Sequence, residues 1–220
     1  ANHTSYLDGP ILSAFLPDRA SFAINTHVAK TWWARLSFHF FNMIPIDPMS
    51  PMSIRTLVEE VKKGRKIVIF PEGRLTVTGA LMKVYEGPGA IAQLSGARVL
   101  PVRIDGAIHS PFSRMRGKIR LHWFPKVTLT FLPPVKFDSP EGLRGAALRE
   151  HQADKLYDVM TDMVFRTSNI GKPLFDALLD ARAIHGGKHL IVEDIQRNPV
   201  NYDRLVMGSF VLGRRIAEAT

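Results

Sequence analysis

The sequence predicts an α/β fold with a mixed, largely parallel central sheet flanked by helices. Strand-like runs alternate with a helical pattern between Met43 and Phe70, the strand, helix, strand signature of such folds. The apolar run Lys66-Ile67-Val68-Ile69-Phe70 carries Pro71-Glu72-Gly73-Arg74 at its C-terminal end, where open α/β sheets place their ligand crevice. A length of 220 residues with 45% hydrophobic content suffices for one large domain, or a domain plus a fragment, around a sizeable core.

Asp8-Gly9-Pro10 reads as a helix start, because a Pro in the first turn gives up an N–H that has no intrahelical partner there. Ile11, Leu12, Phe15 and Leu16 then recur at helical spacing until Pro17-Asp18 stops the pattern. Ser21 to Ile24 is a short strand. From Thr26 to Phe41 the aromatics cluster, and Trp33, Leu36 and Phe40 share one helix face with Trp32 beside it. That face is either a core-facing stripe or an interfacial helix with Lys30 and Arg35 at headgroup level. Met43 to Ile46 is a strand and Pro48 to Pro51 a turn. Ser53 to Lys63 is a helix with Ile54, Leu57, Val58 and Val61 on one face, ended by Gly64.

Leu75 to Tyr85 has no clear period and reads as a loop beside the Glu72 motif. Gly87 to Leu94 is a helix closed by Gly96; Gly87-x-Gly89 lacks the full dinucleotide fingerprint and follows no strand, so it is not a cofactor loop. Val99 to Ile104 and Val127 to Phe131 are further strands, the second ended by Pro133-Pro134. Glu141 to Arg166 is a long helix with Leu148, Leu156, Val159, Met160 and Met163 on its apolar side. The composition shifts at Ser168 to Pro173, which divides the chain into domains 1–168 and 169–220.

Two stretches carry candidate chemistry. His3 and Asp8, five positions apart, would stand about 140° apart on one helix, so they meet only across a turn. With His3 in the loop before the helix that Asp8 opens, the carboxylate reaches one imidazole nitrogen, fixes the tautomer and leaves the other nitrogen to take a proton. Asp8 reads equally well as a simple N-cap. In the second stretch, Arg74 can grip a phosphate bidentately and the N–H groups near Gly73 can donate to a phosphate or an oxyanion. Glu72 either anchors its loop or binds a polar substrate group. Ser5, two residues from His3, opens a rival arrangement, a Ser-His-Asp hydrolase, but no Gly-x-Ser-x-Gly elbow accompanies it.

Composition narrows the partners. The net charge of +9 and pI near 10.0 point to an anionic surface or macromolecule. No acidic residue occurs from Gly106 to Phe137, while Arg114, Arg116, Lys118, Arg120 and Lys126 alternate with Met115, Ile119, Leu121, Trp123 and Phe124. The segment is a solvated basic face, or a patch for phospholipid head groups or an acidic carrier protein. No zinc-finger, RNP or homeodomain-like signature accompanies the charge, so nucleic acid is not an expected partner. The absence of Cys excludes disulfides, thiolate metal sites and a Cys nucleophile, so sulfur for any thioester chemistry arrives with the substrate. His185, His189 and Glu193 do not suggest a metal, because Gly186-Gly187 breaks the helix that their spacing needs. No apolar run approaches the roughly 18 residues of a membrane span.

In order along the chain, Asn2-His3-(four residues)-Asp8, Met43-Ile44-Pro45-Ile46-Asp47, Phe70-Pro71-Glu72-Gly73-Arg74 and Val99-Leu100-Pro101-Val102-Arg103-Ile104 resemble the four blocks of the glycerolipid acyltransferase family. The second block here lacks its usual flanking Gly and Arg. The resemblance implies His3 and Asp8 as catalytic residues, and Asn2, Ser5, Glu72, Gly73 and Arg74 as the substrate-binding set. It implies a lysophospholipid acceptor, acyl carrier protein or coenzyme A thioester as acyl donor, no metal and no further cofactor. It also implies peripheral work at the cytoplasmic face of a bacterial inner membrane, and a buried strand preceding Ala1 in the parent chain. From Leu174, the order Leu174-Phe175-Asp176, Leu190-Ile191-Val192 and Tyr202-Asp203-Arg204-Leu205 resembles the opening of adenylate-forming acyl-activating enzymes, without their phosphate loop. The sequence also leaves open a non-catalytic basic module that binds lipid or carrier.

Overall fold

A computed structural model describes residues 1–16, 19–29, 41–47 and 50–219; the aromatic stretch Trp32 to Phe40 lies outside the described residues. The described chain forms two compact units, one of Ala1–Arg116 with Leu121–Ser168, the other of Gly117–Arg120 with Asn169–Thr220.

The first unit is a mixed α/β structure built on a parallel sheet. Strand β1 (Ser21–Asn25) is central, with β2 (Asn42–Ile46) on one side and β3 (Ile67–Val68) on the other. Ser21 pairs with Asn42 and Ile67, and Phe22 with Met43 and Val68, so both neighbours run parallel to β1. Helix Pro51–Lys62 carries the chain from β2 to β3, and its apolar face buries Leu57 and Val58 against Ile91 of helix Gly87–Ser95. The latter helix ends where Gly96 adopts φ 70°, a left-handed cap that favours glycine.

Three elements differ from expectation, each for a local reason. The run Lys66 to Phe70 is a ladder strand at Ile67–Val68 alone; after it the Ile69 carbonyl accepts from the Ala1 amino group at 3.3 Å and the Phe70 carbonyl from the Gly73 N–H at 3.0 Å. Val99 to Ile104 is two strands, not one: Arg98–Val99 pairs antiparallel with Val135–Lys136, and Val102–Asp105 with Thr128–Phe131. Pro101, which has no N–H to give a ladder, sits at the break, and its carbonyl accepts the Leu132 N–H at 3.0 Å. The long helix starts at Gly145 and not at Glu141, because Pro140 to Leu143 close a turn around Gly142, whose φ is 85°.

Helix Asp8–Phe15 positions the candidate site. Asp8 and Leu12, one turn apart, share its buried face, while Phe15 of the expected apolar pattern is 68% exposed. Leu12 packs with Phe22, Val102, Ile104 and Ala107, which fixes the helix start against both the parallel sheet and the antiparallel pair. A separate cluster, Ala92, Phe137, Leu156, Met160 and Met163, seats the long helix Gly145–Thr167. An apolar cavity of about 440 Å³ lies between the 67–69 and 99–102 segments, with Ala1 and Pro71 on its wall.

At Gly106 the backbone takes φ 85° and passes so close to Lys126 that an added Cβ would lie 2.0 Å from the Lys126 carbonyl oxygen. Gly106→Ala should therefore destabilise the protein by roughly 2–5 kcal/mol, combining left-handed strain with a backbone clash. Urea unfolding measures this; a midpoint equal to that of the wild type would show that the 106–126 crossing relaxes without cost.

The second unit consists of helix Leu174–His185, the antiparallel strands Leu190–Glu193 and Pro199–Asn201, and helix Tyr202–Ala219. Its helices are joined by Arg182 to Asp203 at 2.7 Å and by an edge-on Phe175–Phe210 contact.

Candidate active site

His3 lies in the loop before helix Asp8–Phe15, and its Nδ1 is 2.9 Å from Asp8 Oδ2. Asp8 is fully buried, whereas the His3 side chain keeps 20% of its surface exposed. That difference sets the direction of the chemistry. Nδ1 is held by the buried carboxylate, which leaves Nε2 as the ring nitrogen that Asp8 does not engage. An ionised carboxylate only accepts, so it selects the tautomer with the proton on Nδ1.

The Asp8 carboxylate also accepts backbone N–H groups from Thr4 at 2.6 Å and Ser5 at 2.9 Å, and the Thr4 hydroxyl at 3.3 Å. The loop thus wraps around Asp8. These contacts offset the cost of burying a charge, which without partners would be prohibitive. Asp8 is the first residue of its helix and not its cap: Leu7 holds the N-cap position without a side-chain cap bond, and the Asp8 carboxylate is turned back to Thr4, Ser5 and His3.

The Phe70 to Thr76 stretch grips the backbone of His3 from both ends. Glu72, 2% exposed, accepts the His3 N–H on Oε1 at 3.0 Å and the Met82 N–H on Oε2 at 3.0 Å. Thr76 donates its N–H to the His3 carbonyl at 2.9 Å. Phe70 stacks on the imidazole with ring centroids 4.1 Å apart and planes 17° from parallel. Of the two roles open to Glu72, the geometry gives the first: with both oxygens engaged by backbone N–H groups, it anchors the loop. The Leu75 to Tyr85 loop is the loop it holds.

Other expected substrate contacts have a different placement. Asn2 is 3% exposed; its amide NH₂ donates to the Ile104 carbonyl at 2.8 Å and its Oδ1 accepts the Ile104 N–H at 2.7 Å. It therefore ties the His3 loop to strand Val102–Asp105. Ser5, fully buried, pairs its hydroxyl with that of Ser110 at 2.8 Å and accepts the Leu7 N–H at 3.2 Å. Its oxygen is directed to Ser110 and not to His3, which removes the basis of the serine-hydrolase arrangement. The Gly73 N–H closes the turn on Phe70 and is not available to an oxyanion. Gly73 itself has φ 64°, and a Cβ there would press on the Tyr85 ring at 3.1 Å. Arg74 is exposed, two residues from Glu72 and two from Thr76, the residues that contact the His3 backbone.

Sequence reasoning did not identify Phe70 as a stacking partner, or Thr76, Ser110 and Met82 as framework. Thr76 is 1% exposed and its hydroxyl accepts the Gly79 N–H at 3.0 Å, a turn contact with no periodic signature. Among the described residues, no group of three or more His, Asp or Glu side chains is placed to hold a metal.

An Acyltransferase family model matches residues 1–105, the segment that contains His3, Asp8 and the whole Phe70 to Thr76 stretch. The chain is also similar to a crystal structure of the 1-acyl-sn-glycerophosphate (LPA) acyltransferase PlsC from Thermotoga maritima, at 23% identity and a TM-score of 0.49. That similarity covers 73% of this chain and 63% of the other.

Proposed function

We propose that the first unit is an O-acyltransferase that moves a fatty acyl group from a thioester to the free hydroxyl of a lysophospholipid, a reading supported by the match of residues 1–105 to an Acyltransferase family model. The observation that carries this reading is His3 Nδ1 at 2.9 Å from a fully buried Asp8, with the His3 side chain itself 20% exposed. In the reaction, His3 Nε2 takes the acceptor hydroxyl proton as the oxygen bonds to the thioester carbonyl carbon. The tetrahedral oxyanion then collapses, the C–S bond breaks, and the imidazolium returns the proton to the departing thiolate. Asp8 stabilises the imidazolium in between. Arg74, exposed and cationic, is the group suited to the acceptor's phosphate.

The substrates follow from the resemblance of the two halves. An acyltransferase followed by the opening of an acyl-activating enzyme is most like the bacterial bifunctional 2-acylglycerophosphoethanolamine acyltransferase/acyl-acyl carrier protein synthetase. In that reading the acceptor is lysophosphatidylethanolamine, the donor is acyl carrier protein thioester with coenzyme A thioester as the alternative, and the work is done at the cytoplasmic face of the inner membrane. The helix, strand, strand, helix order from Leu174, with Tyr202 opening the last helix, supports this reading.

A transfer assay over a panel of lysolipids, with each donor in turn, tests the assignment. Product should be greatest with lysophosphatidylethanolamine and acyl carrier protein thioester, and Arg74→Lys should weaken acceptor use more than donor use. Equal use of lysolipids with and without a phosphate would remove Arg74 from the acceptor site.

A further inference from the structure

Trp123 is 74% exposed and Phe124 is 97% exposed, the most prominent apolar pair among the described residues of the first unit. They sit on a loop that is pinned on both sides. His122 donates its N–H to the His109 carbonyl at 2.7 Å, and Lys126 crosses Gly106 at a distance that only glycine permits. Two large rings held out on a tethered loop give up burial that a collapsed loop would recover.

Along this segment the charge has one sign, with Asp105, paired to Arg103, just before it. Arg114, Arg116 and Lys126 are exposed, and no Asp or Glu occurs from Gly106 to Phe137. The same segment reaches the His3 loop at its near end. There Ser113 bridges to Ser5, the Tyr6 N–H donates to the Phe112 carbonyl at 3.2 Å, and Arg114 Nη2 approaches the Tyr6 hydroxyl at 3.5 Å. Tyr6 and Phe112 are themselves 44% and 46% exposed.

We infer that this loop docks the protein on an anionic phospholipid bilayer. Trp123 and Phe124 enter the boundary between head groups and acyl chains, while Arg114, Arg116 and Lys126 face the lipid phosphates. An acidic protein would satisfy the cations alone, whereas a bilayer satisfies the cations and the projecting rings together. The inference deepens the proposed function, on which its purpose rests: docking here brings the loop that contains His3 to the surface from which a lysophospholipid acceptor would come.

Co-sedimentation with phosphatidylglycerol-rich vesicles, compared with pure phosphatidylcholine vesicles, tests the inference. The double variant Trp123→Ala/Phe124→Ala should partition at least about tenfold more weakly. Arg116→Gln and Lys126→Gln should each cost roughly fivefold, a loss that disappears at high salt. His3→Ala should bind as the wild type does. Transfer to a short-chain, monomeric lysolipid should be unchanged in the double variant, which shows the site intact. Wild-type vesicle binding by the folded double variant would overturn the inference, and so would a loss confined to binding of acyl carrier protein. Binding through these residues without any acyl transfer would support the docking surface and refute the proposed function instead.

Discussion

Replacing His3 with Ala is expected to lower acyl transfer on the order of 10²- to 10⁴-fold, the usual cost of losing a general base, while the protein stays folded. The side chain is partly exposed, and the backbone contacts of His3 to Glu72 and Thr76 survive its removal. The variant loses the ring's bond to Asp8, which keeps the Thr4 and Ser5 amides, and its stacking on Phe70, together with the proposed contact to the substrate proton. Comparing kcat with the far-ultraviolet circular dichroism of the same sample measures both parts. Near-normal transfer by a folded His3→Ala protein would remove His3 from the mechanism.

Glu72→Ala should be damaging in a different way. Its two oxygens each hold a backbone N–H, of His3 and of Met82, in an environment where the side chain is 2% exposed. Removing both acceptors leaves two donors unsatisfied, at a cost of roughly 2–5 kcal/mol in stability. Activity should fall with it, since the His3 loop and the Leu75 to Tyr85 loop lose their common anchor. Glu72→Gln, which keeps one acceptor oxygen, should recover part of the stability. Thermal unfolding of the two variants decides the point: wild-type stability for Glu72→Ala would show that the anchor is dispensable.

The legible part of the site is the local part. His3 and Asp8 are five residues apart across a helix start, so spacing and turn chemistry suffice to bring them together, and the structure places them in hydrogen-bond contact. The Phe70 to Arg74 motif at the end of a sheet strand was legible as position, but its function there was not. The clamp from Glu72 joins residues far apart in sequence, and so do Asn2 with Ile104 and Ser5 with Ser110. No periodicity encodes such pairs, and a polar residue next to a catalytic motif reads the same whether it faces substrate or backbone. The same limit applies to the fold. The parallel order of Ser21–Asn25, Asn42–Ile46 and Ile67–Val68 follows from alternation of strand and helix. The break at Pro101 depends on which strands the two pieces find, namely Val135–Lys136 and Thr128–Phe131, and those partners lie about thirty residues away.

The framework explains why one sealed carboxylate is paired with one accessible imidazole. Asp8 is fixed by the Thr4 and Ser5 amides, His3 by Glu72, Thr76 and Phe70, and Asn2 ties the loop to Ile104. Each contact restrains the ring that, in the proposed reaction, meets a hydroxyl in the transition state, where small displacements are costly.

The most direct measurement of the central claim is product analysis with a premade acyl thioester and lysophosphatidylethanolamine, without ATP, for wild type and His3→Ala side by side. The account predicts diacyl phospholipid from the wild type and its near absence with His3→Ala. Free fatty acid in place of the diacyl product, or equal product from both proteins, would contradict it.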